Sequence, residues 1–140
     1  MSKYFTLKEM NRQGVLILEI EKANLEYVAR NLGDPIRSYL SIPVFVTSGF
    51  RTITYNKEIG GSPTSRHVYG LALDLWWRGI DEDSVISTFL ALRKFDCNAY
   101  LEYQAIWYPE KRFIHVGLAK PGKRTEELVS VGGLYTKFVL

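Results

Sequence analysis

Ser65-Arg66-His67-Val68-Tyr69-Gly70-Leu71-Ala72-Leu73-Asp74 is the stretch that decides how this chain folds and what it can hold. Gly70 followed by the apolar residues Leu71, Leu73 and Leu75 reads as a turn feeding a strand. Side chains alternate along a strand. Ala72 and Asp74 therefore share one face, and Leu71, Leu73 and Leu75 the other. Asp74 is then a carboxylate inside an apolar run ending in Trp76-Trp77, with no basic residue close by before Arg78. A buried ionised carboxylate needs a partner or a metal. His67 stands just upstream, and the other histidine, His115, lies in Phe113-Ile114-His115-Val116-Gly117. A lone histidine is more often a hydrogen-bonded core or surface residue, but its spacing to Asp74 favours the ligand reading. Two imidazoles and one carboxylate on separate elements make a three-ligand zinc set with a fourth position open, the pattern of catalytic rather than structural sites. Cys97 is the only thiol, which excludes a thiolate-rich structural site. The arrangement points to hydrolysis.

Outward from this stretch the chain divides at its turn formers. Thr6 with Glu9 resembles a capping box. Apolar spacing (Leu16, Ile20, Ala23, Val28, Leu32) predicts a helix from about Val15 to Leu32, broken by Gly33-Asp34-Pro35. Asp34 as N-cap and Pro35 at the first position start a second helix to Leu40. Val44–Thr47 is β-branched and aromatic, so a strand. Thr52–Ile59 reads as a short helix ended by Gly60-Gly61, and Leu71–Trp77 as the second strand. Asp81 caps a helix to about Lys94. Ala99–Ile106 and Arg112–Leu118 read as an antiparallel hairpin around Pro109. Pro121-Gly122 ends the domain, residues 1–120, and residues 121–140 form a tail with Gly132-Gly133 as a flexible joint. The expected class is α+β, with helices on one side of a small antiparallel sheet.

At 140 residues the chain is one domain's worth, and 46% hydrophobic with 24% charged residues is an ordinary globular balance. A formal charge of +3 is too small a surplus, with no basic run, to argue for nucleic acid. It suits an anionic polymer such as a cell wall. No stretch approaches a membrane span. The N-terminus shows no secretory signal, and a single Cys forms no internal disulfide. The expectation is cytoplasmic synthesis, with another route of delivery if the target lies outside.

Ser48-Gly49-Phe50-Arg51, Asn56, Gly60-Gly61, the string Ser65-x-His67-x-x-Gly70-x-Ala72-x-Asp74 and Phe113-Ile114-His115-Val116 together resemble the zinc D-Ala-D-Ala carboxypeptidase family. That family includes VanX-type dipeptidases and the L-alanyl-D-glutamate endopeptidases of phage endolysins, and it shares a core with lysostaphin-type peptidases and the hedgehog domain. The resemblance spans about Ser48 to Val116 and extends to the opening Tyr4-Phe5-Thr6-Leu7.

It implies zinc on His67, Asp74 and His115, and a zinc metallopeptidase that cuts the stem peptides of bacterial peptidoglycan, as a carboxypeptidase or an endopeptidase. A phage endolysin released through a holin fits the same pattern. Arg51 would hold a substrate carboxylate or carbonyl oxygen, which agrees with a guanidinium at a strand end beside a glycine. Ser65 would hydrogen-bond within the site.

Two departures from the family pattern matter. Many relatives carry an acid three positions before the last zinc histidine, where this chain has Arg112, and many read His-Val-Asp, where it has Gly117. Glu102 is the expected general base instead, facing the metal from the preceding strand, with Glu110 in the loop as the alternative. Trp76, Trp77, Tyr100, Tyr103, Trp107 and Tyr108 are candidates to line the cleft. The competing function is a zinc-stabilised module that binds wall peptides or a protein without cutting. A weaker third is a virion component that docks through residues 125–140.

Overall fold

The β-branched and aromatic run after Pro43 forms β1 (Val44–Ser48), and the run around Asp74 forms β2 (Ala72–Trp77), in a computed structural model that describes residues 1–94 and 101–138. β3 (Tyr103–Tyr108), β4 (Phe113–Leu118), β5 (Glu126–Val131) and β6 (Leu134–Lys137) complete one six-stranded sheet in the order β1-β2-β4-β3-β5-β6. Every pairing is antiparallel except β3 with β5. The helices are α1 (Leu7–Met10), α2 (Glu19–Val28), α3 (Asp34–Leu40), α4 (Ile53–Glu58) and α5 (Glu82–Lys94). The expected α+β class is what is seen.

Strand alternation sorts the sheet into two faces. Val44, Val46, Leu73, Leu75, Trp77, Trp107, Ile114 and Val116 turn to one side and bury against Leu25, Val28, Leu32, Ile36, Val85 and Phe89 of the helical layer. Removing that apolar surface from water is the main stabilising term of the fold. The opposite face carries Asp74, His115, Ile106 and Tyr108 into a cleft. The helices hold the sheet from behind, and the chemistry sits in front.

Two expected caps are in place, on α1 and α5, and Thr52 adds one that was not expected from the sequence. Thr6 and Glu9 close a capping box on α1, Thr52 caps α4 by accepting from Tyr55 N–H, and Asp81 caps α5 by accepting from Ser84 N–H at 2.8 Å. Two expectations need correction.

Gly33-Asp34-Pro35 does not break the helix. α2 passes through one π-helical turn, Ala29–Gly33, directly into α3, with Asp34 N–H bonded back to the Ala29 carbonyl. Pro35, which has no N–H to give, follows this wider π turn at the start of α3. Asp34 is not an N-cap. Its carboxylate gathers the N-terminus instead, accepting from Ser2 Oγ at 2.7 Å, Lys3 N–H at 2.8 Å and Tyr4 N–H at 3.2 Å. The helix also begins later than its apolar spacing implied, at Glu19, and leaves Leu16 and Ile20 exposed.

The C-terminal segment is the second correction. Residues 126–137 are not a flexible tail but a hairpin that extends the sheet. Gly132 (φ 59°) and Gly133 (φ 81°) are both left-handed and form the two-residue turn that joins the paired ends Val131 and Leu134. Of the expected cleft aromatics, Trp77, Tyr103 and Trp107 are in the core and Trp76 packs on Phe45. Tyr108 alone among those described lines the cleft. Tyr100, Cys97 and the first residues of the expected Ala99–Ile106 strand lie outside the described residues.

Gly117 has a packing reason. It faces Ala72 across the β2–β4 ladder, and a Cβ there would come within 2.6 Å of the Leu71 carbonyl oxygen and 2.9 Å of the Ala72 Cβ. No side chain fits without moving backbone, so the aspartate many relatives carry has no room here. Gly117→Ala is expected to cost about 1–3 kcal/mol, the usual penalty of overpacking. A thermal unfolding midpoint equal to that of the parent protein would contradict this.

Candidate metal centre

His67 is presented by a short 3-10 segment, Arg66–Tyr69, whose start is capped by Ser65 Oγ accepting from His67 N–H at 3.2 Å. Ser65 thus has a definite place: it fixes the turn that carries the histidine. Arg51 N–H donates to the His67 carbonyl at 3.1 Å, tying the exit of β1 to the same turn. The ring of His67, only 2% exposed, is oriented by its Nδ1, 2.7 Å from the Gly49 carbonyl oxygen. A carbonyl only accepts, so Nδ1 carries a proton, and in the neutral ring Nε2 has a lone pair. That lone pair lies 3.1 Å from Asp74 Oδ1, itself an acceptor.

Asp74 and His115 are direct partners across the β2–β4 ladder. His115 Nδ1 is 3.1 Å from Asp74 Oδ1 and 3.2 Å from His67 Nε2. Three donor atoms from three elements therefore converge in a triangle with edges of 3.1–3.2 Å. A tetrahedral zinc with bonds of about 2.0–2.1 Å has ligand–ligand edges of about 3.3 Å, so the triangle has the size of one face of that tetrahedron. With both imidazoles neutral, three such atoms around one buried point suit a cation at their centre. The expected ligands His67, Asp74 and His115 are brought together, and they fit zinc.

The ionisation states favour metal binding. Without a metal, burial would raise the Asp74 pKa, but a protonated His67 and hydrogen bonds from His115 and His67 outweigh it and hold the carboxyl well below the usual range. A metal would take the place of those shared protons. Burial lowers the His115 pKa, opposed by its contact with Asp74, so the imidazole is neutral at neutral pH. Ionised carboxylate and neutral imidazole are the forms that coordinate metal.

Arg51 does something the sequence did not reveal. Its Nη2 donates to Asp74 Oδ2 at 3.2 Å, its Nε to Ser48 Oγ at 3.0 Å and its Nη1 to Asn56 Oδ1 at 3.2 Å. The guanidinium occupies the carboxylate oxygen that faces away from the histidines and leaves Oδ1 for a metal. Asn56, 3% exposed, is held in turn by donating to the Ser62 carbonyl at 2.8 Å. Outer partners of this kind orient metal ligands.

The centre opens into a cleft of about 600 Å³. Arg51, Arg66, Lys111 and Lys120 contribute cations to its lining, against the carboxylates of Asp74 and Glu126. Gln104, Ile106 and Tyr108 of β3 form its floor beside His115.

The two candidate bases stand elsewhere. Glu102 precedes β3, is exposed, and its Oε2 accepts from Thr125 N–H and Thr125 Oγ1–H at 2.6 Å each, which lowers its pKa. It has the strand parity of the cleft residues, but Ile106, four residues on, is the one opposite His115. That separation carries Glu102 roughly 13 Å along the strand from the His115 row. Glu110 accepts from Gly132 N–H at 2.7 Å. Neither lines the cleft. Arg112 sits in the β3–β4 turn with φ 57° and directs its Nη2 to the Ile80 carbonyl, away from the histidines. Glu102→Gln is therefore expected to keep zinc content unchanged and turnover within about threefold, far from the 10²–10⁴-fold loss of a general base. A turnover assay with metal analysis decides it.

Comparison with known proteins agrees with this geometry. The peptidase M15 family profile matches residues 3–117. The zinc D-Ala-D-Ala carboxypeptidase of Streptomyces albus G is 52% identical over 33 residues, which is 24% of this chain and 13% of that protein. The crystal structure of the Serratia marcescens L-Ala D-Glu endopeptidase ChiX superposes with a TM-score of 0.52 at 17% identity, covering 78% of this chain and 93% of that one. That likeness is one of fold. Because the family profile covers most of the chain and contains the whole His67–Asp74–His115 centre, this protein belongs to the peptidase M15 family.

Proposed function

We propose that this chain is a zinc-dependent peptidase that hydrolyses the short stem peptides of bacterial peptidoglycan. The observation that carries the reading is the buried His67–Asp74–His115 triangle, sized for zinc and opening into a cleft. Zinc held by His67, Asp74 and His115 would supply Lewis acidity, lowering the pKa of a water toward about 7. The chain's own residues do the rest. Gly49 and Arg51 orient His67 and Asp74, and Arg66, Lys111 and Lys120 give the cleft a cationic excess suited to peptides rich in free carboxylates. The relatives named above, a D-Ala-D-Ala carboxypeptidase and an L-Ala D-Glu endopeptidase, support stem peptides as the substrate class.

One observation favours a second reading. With Glu102 and Glu110 engaged outside the cleft, Glu126 is the only carboxylate beyond Asp74 in its lining among the described residues. A domain that holds zinc and binds wall peptides without cutting them fits that shortage of bases. Incubating zinc-loaded protein with peptidoglycan from several bacteria, with and without chelator, separates the two. Chelator-sensitive release of fragments, read by mass spectrometry, is the expected result, and their masses name the bond. Peptide binding without release would replace the peptidase by the binding module.

A further inference from the structure

The family profile ends at residue 117, yet the cleft does not. β5 joins the sheet beside β3 in parallel, with Ile106 opposite Leu128 and Gln104 opposite Glu126, and so extends the face that carries His115. Glu126, Leu128 and, from β6, Tyr135 line the same cleft. Tyr135 crosses to the family core: its hydroxyl lies 3.3 Å from that of Tyr108, and the two rings meet edge to face with centroids 6.3 Å apart. Tyr108 is in turn stacked on Phe113, two residues before His115, with centroids 4.6 Å apart.

A pair of hydroxyls has chemistry that neither has alone. Each offers one O–H and two lone pairs. In the pair one hydroxyl donates to the other, and the acceptor's own O–H is left for a third group. Both residues line the cleft, so that group is whatever lies in it. An acceptor without protons of its own, such as a peptide carbonyl or carboxylate oxygen, is the complementary ligand.

We propose that the β5–β6 hairpin is a substrate-binding element of this chain, in which the paired hydroxyls of Tyr135 and Tyr108 hold a carbonyl or carboxylate oxygen of the bound peptide. This rests on stem peptides being the ligand of the cleft, whether or not they are cut. Tyr108 and Tyr135 then act as positioning groups in the ground state.

The test measures binding of a soluble stem pentapeptide by calorimetry, and kcat and KM if the parent protein cuts it, for zinc-loaded parent, Tyr135→Phe, Tyr108→Phe and the double variant. Phenylalanine keeps the rings and removes the hydroxyls. Each single variant is expected to weaken binding and raise KM by roughly 5–20-fold, with kcat, zinc content and melting temperature close to those of the parent, the signature of lost uniform binding. The double variant should lose little more than either single one, because the pair works as a unit. Thr136→Ala, beside Tyr135 but on the other face of β6, should match the parent. Unchanged Kd and KM in both single variants, with a parent that binds the peptide, overturns the proposal. So does a lower kcat and melting temperature at constant Kd, which marks a structural role. A parent that neither binds nor cuts stem peptides overturns the proposed function instead, and the hairpin's role in binding them with it.

Discussion

Asp74→Asn is expected to remove zinc from the protein and abolish chelator-sensitive hydrolysis. The loss should be well above the roughly 10–100-fold that follows removal of an outer partner of a metal ligand. Asp74 Oδ1 is the atom both histidines approach, at 3.1 Å each, and Oδ2 is the atom Arg51 holds. An amide keeps the shape and loses the charge. It leaves the Arg51 guanidinium, largely buried, without its anion, and the removal of one partner of a buried pair is destabilising. The zinc-free variant should therefore melt below the zinc-free parent. Metal analysis after dialysis, an activity assay and a melting curve check the three parts. Zinc retained at one equivalent would show that the triangle is not the metal site.

Arg51→Lys is the second large expected effect, and it distinguishes two roles for this cation. The sequence suggests a residue that grips substrate, whereas in the structure its three nitrogens are spent on Ser48, Asn56 and Asp74. An ammonium on a flexible stem does not span three acceptors in fixed directions. If Arg51 positions Asp74, lysine lowers zinc affinity by roughly 10–100-fold, and excess zinc restores activity. If Arg51 instead serves substrate alone, zinc affinity is unchanged and KM rises. A zinc titration of the variant separates these outcomes.

The parts of this molecule visible in its sequence are those where local chemistry and final structure coincide. Asp74 in an apolar run is anomalous wherever it sits, so the clustering of His67, Asp74 and His115 is legible from a single segment and two histidines. Thr6 and Asp81 cap their helices through contacts three residues away, which spacing alone reveals. What local spacing does not carry depends on distant partners. Asp34 resembles a cap until the N-terminal segment is seen folded onto it. Arg51 resembles a free cation until Ser48, Asn56 and Asp74 are placed around it. Glu102 has the right strand parity for a base, but register sets His115 opposite Ile106, and Thr125 takes the carboxylate.

The C-terminal hairpin is the misreading with a recoverable signal. Glu126-Glu127-Leu128-Val129-Ser130-Val131 and Leu134-Tyr135-Thr136-Lys137 flank Gly132-Gly133, a two-residue loop of the kind that specifies a tight hairpin turn. Read as a joint, the glycines hide Tyr135. Read as a turn, they predict an added strand pair and bring Tyr135 toward the cleft.

The measurement that tests the account most directly is zinc stoichiometry of the purified protein, taken together with its melting temperature before and after chelation, in parent and His115→Ala. One zinc per chain is predicted, with a melting temperature that falls on chelation. Loss of a ligand present at a hundred times its dissociation constant removes about 2.7 kcal/mol of stability. His115→Ala should bind no zinc and melt at the same temperature with or without chelator. A parent protein that holds no zinc and is indifferent to chelation would contradict the metal centre, and the peptidase with it.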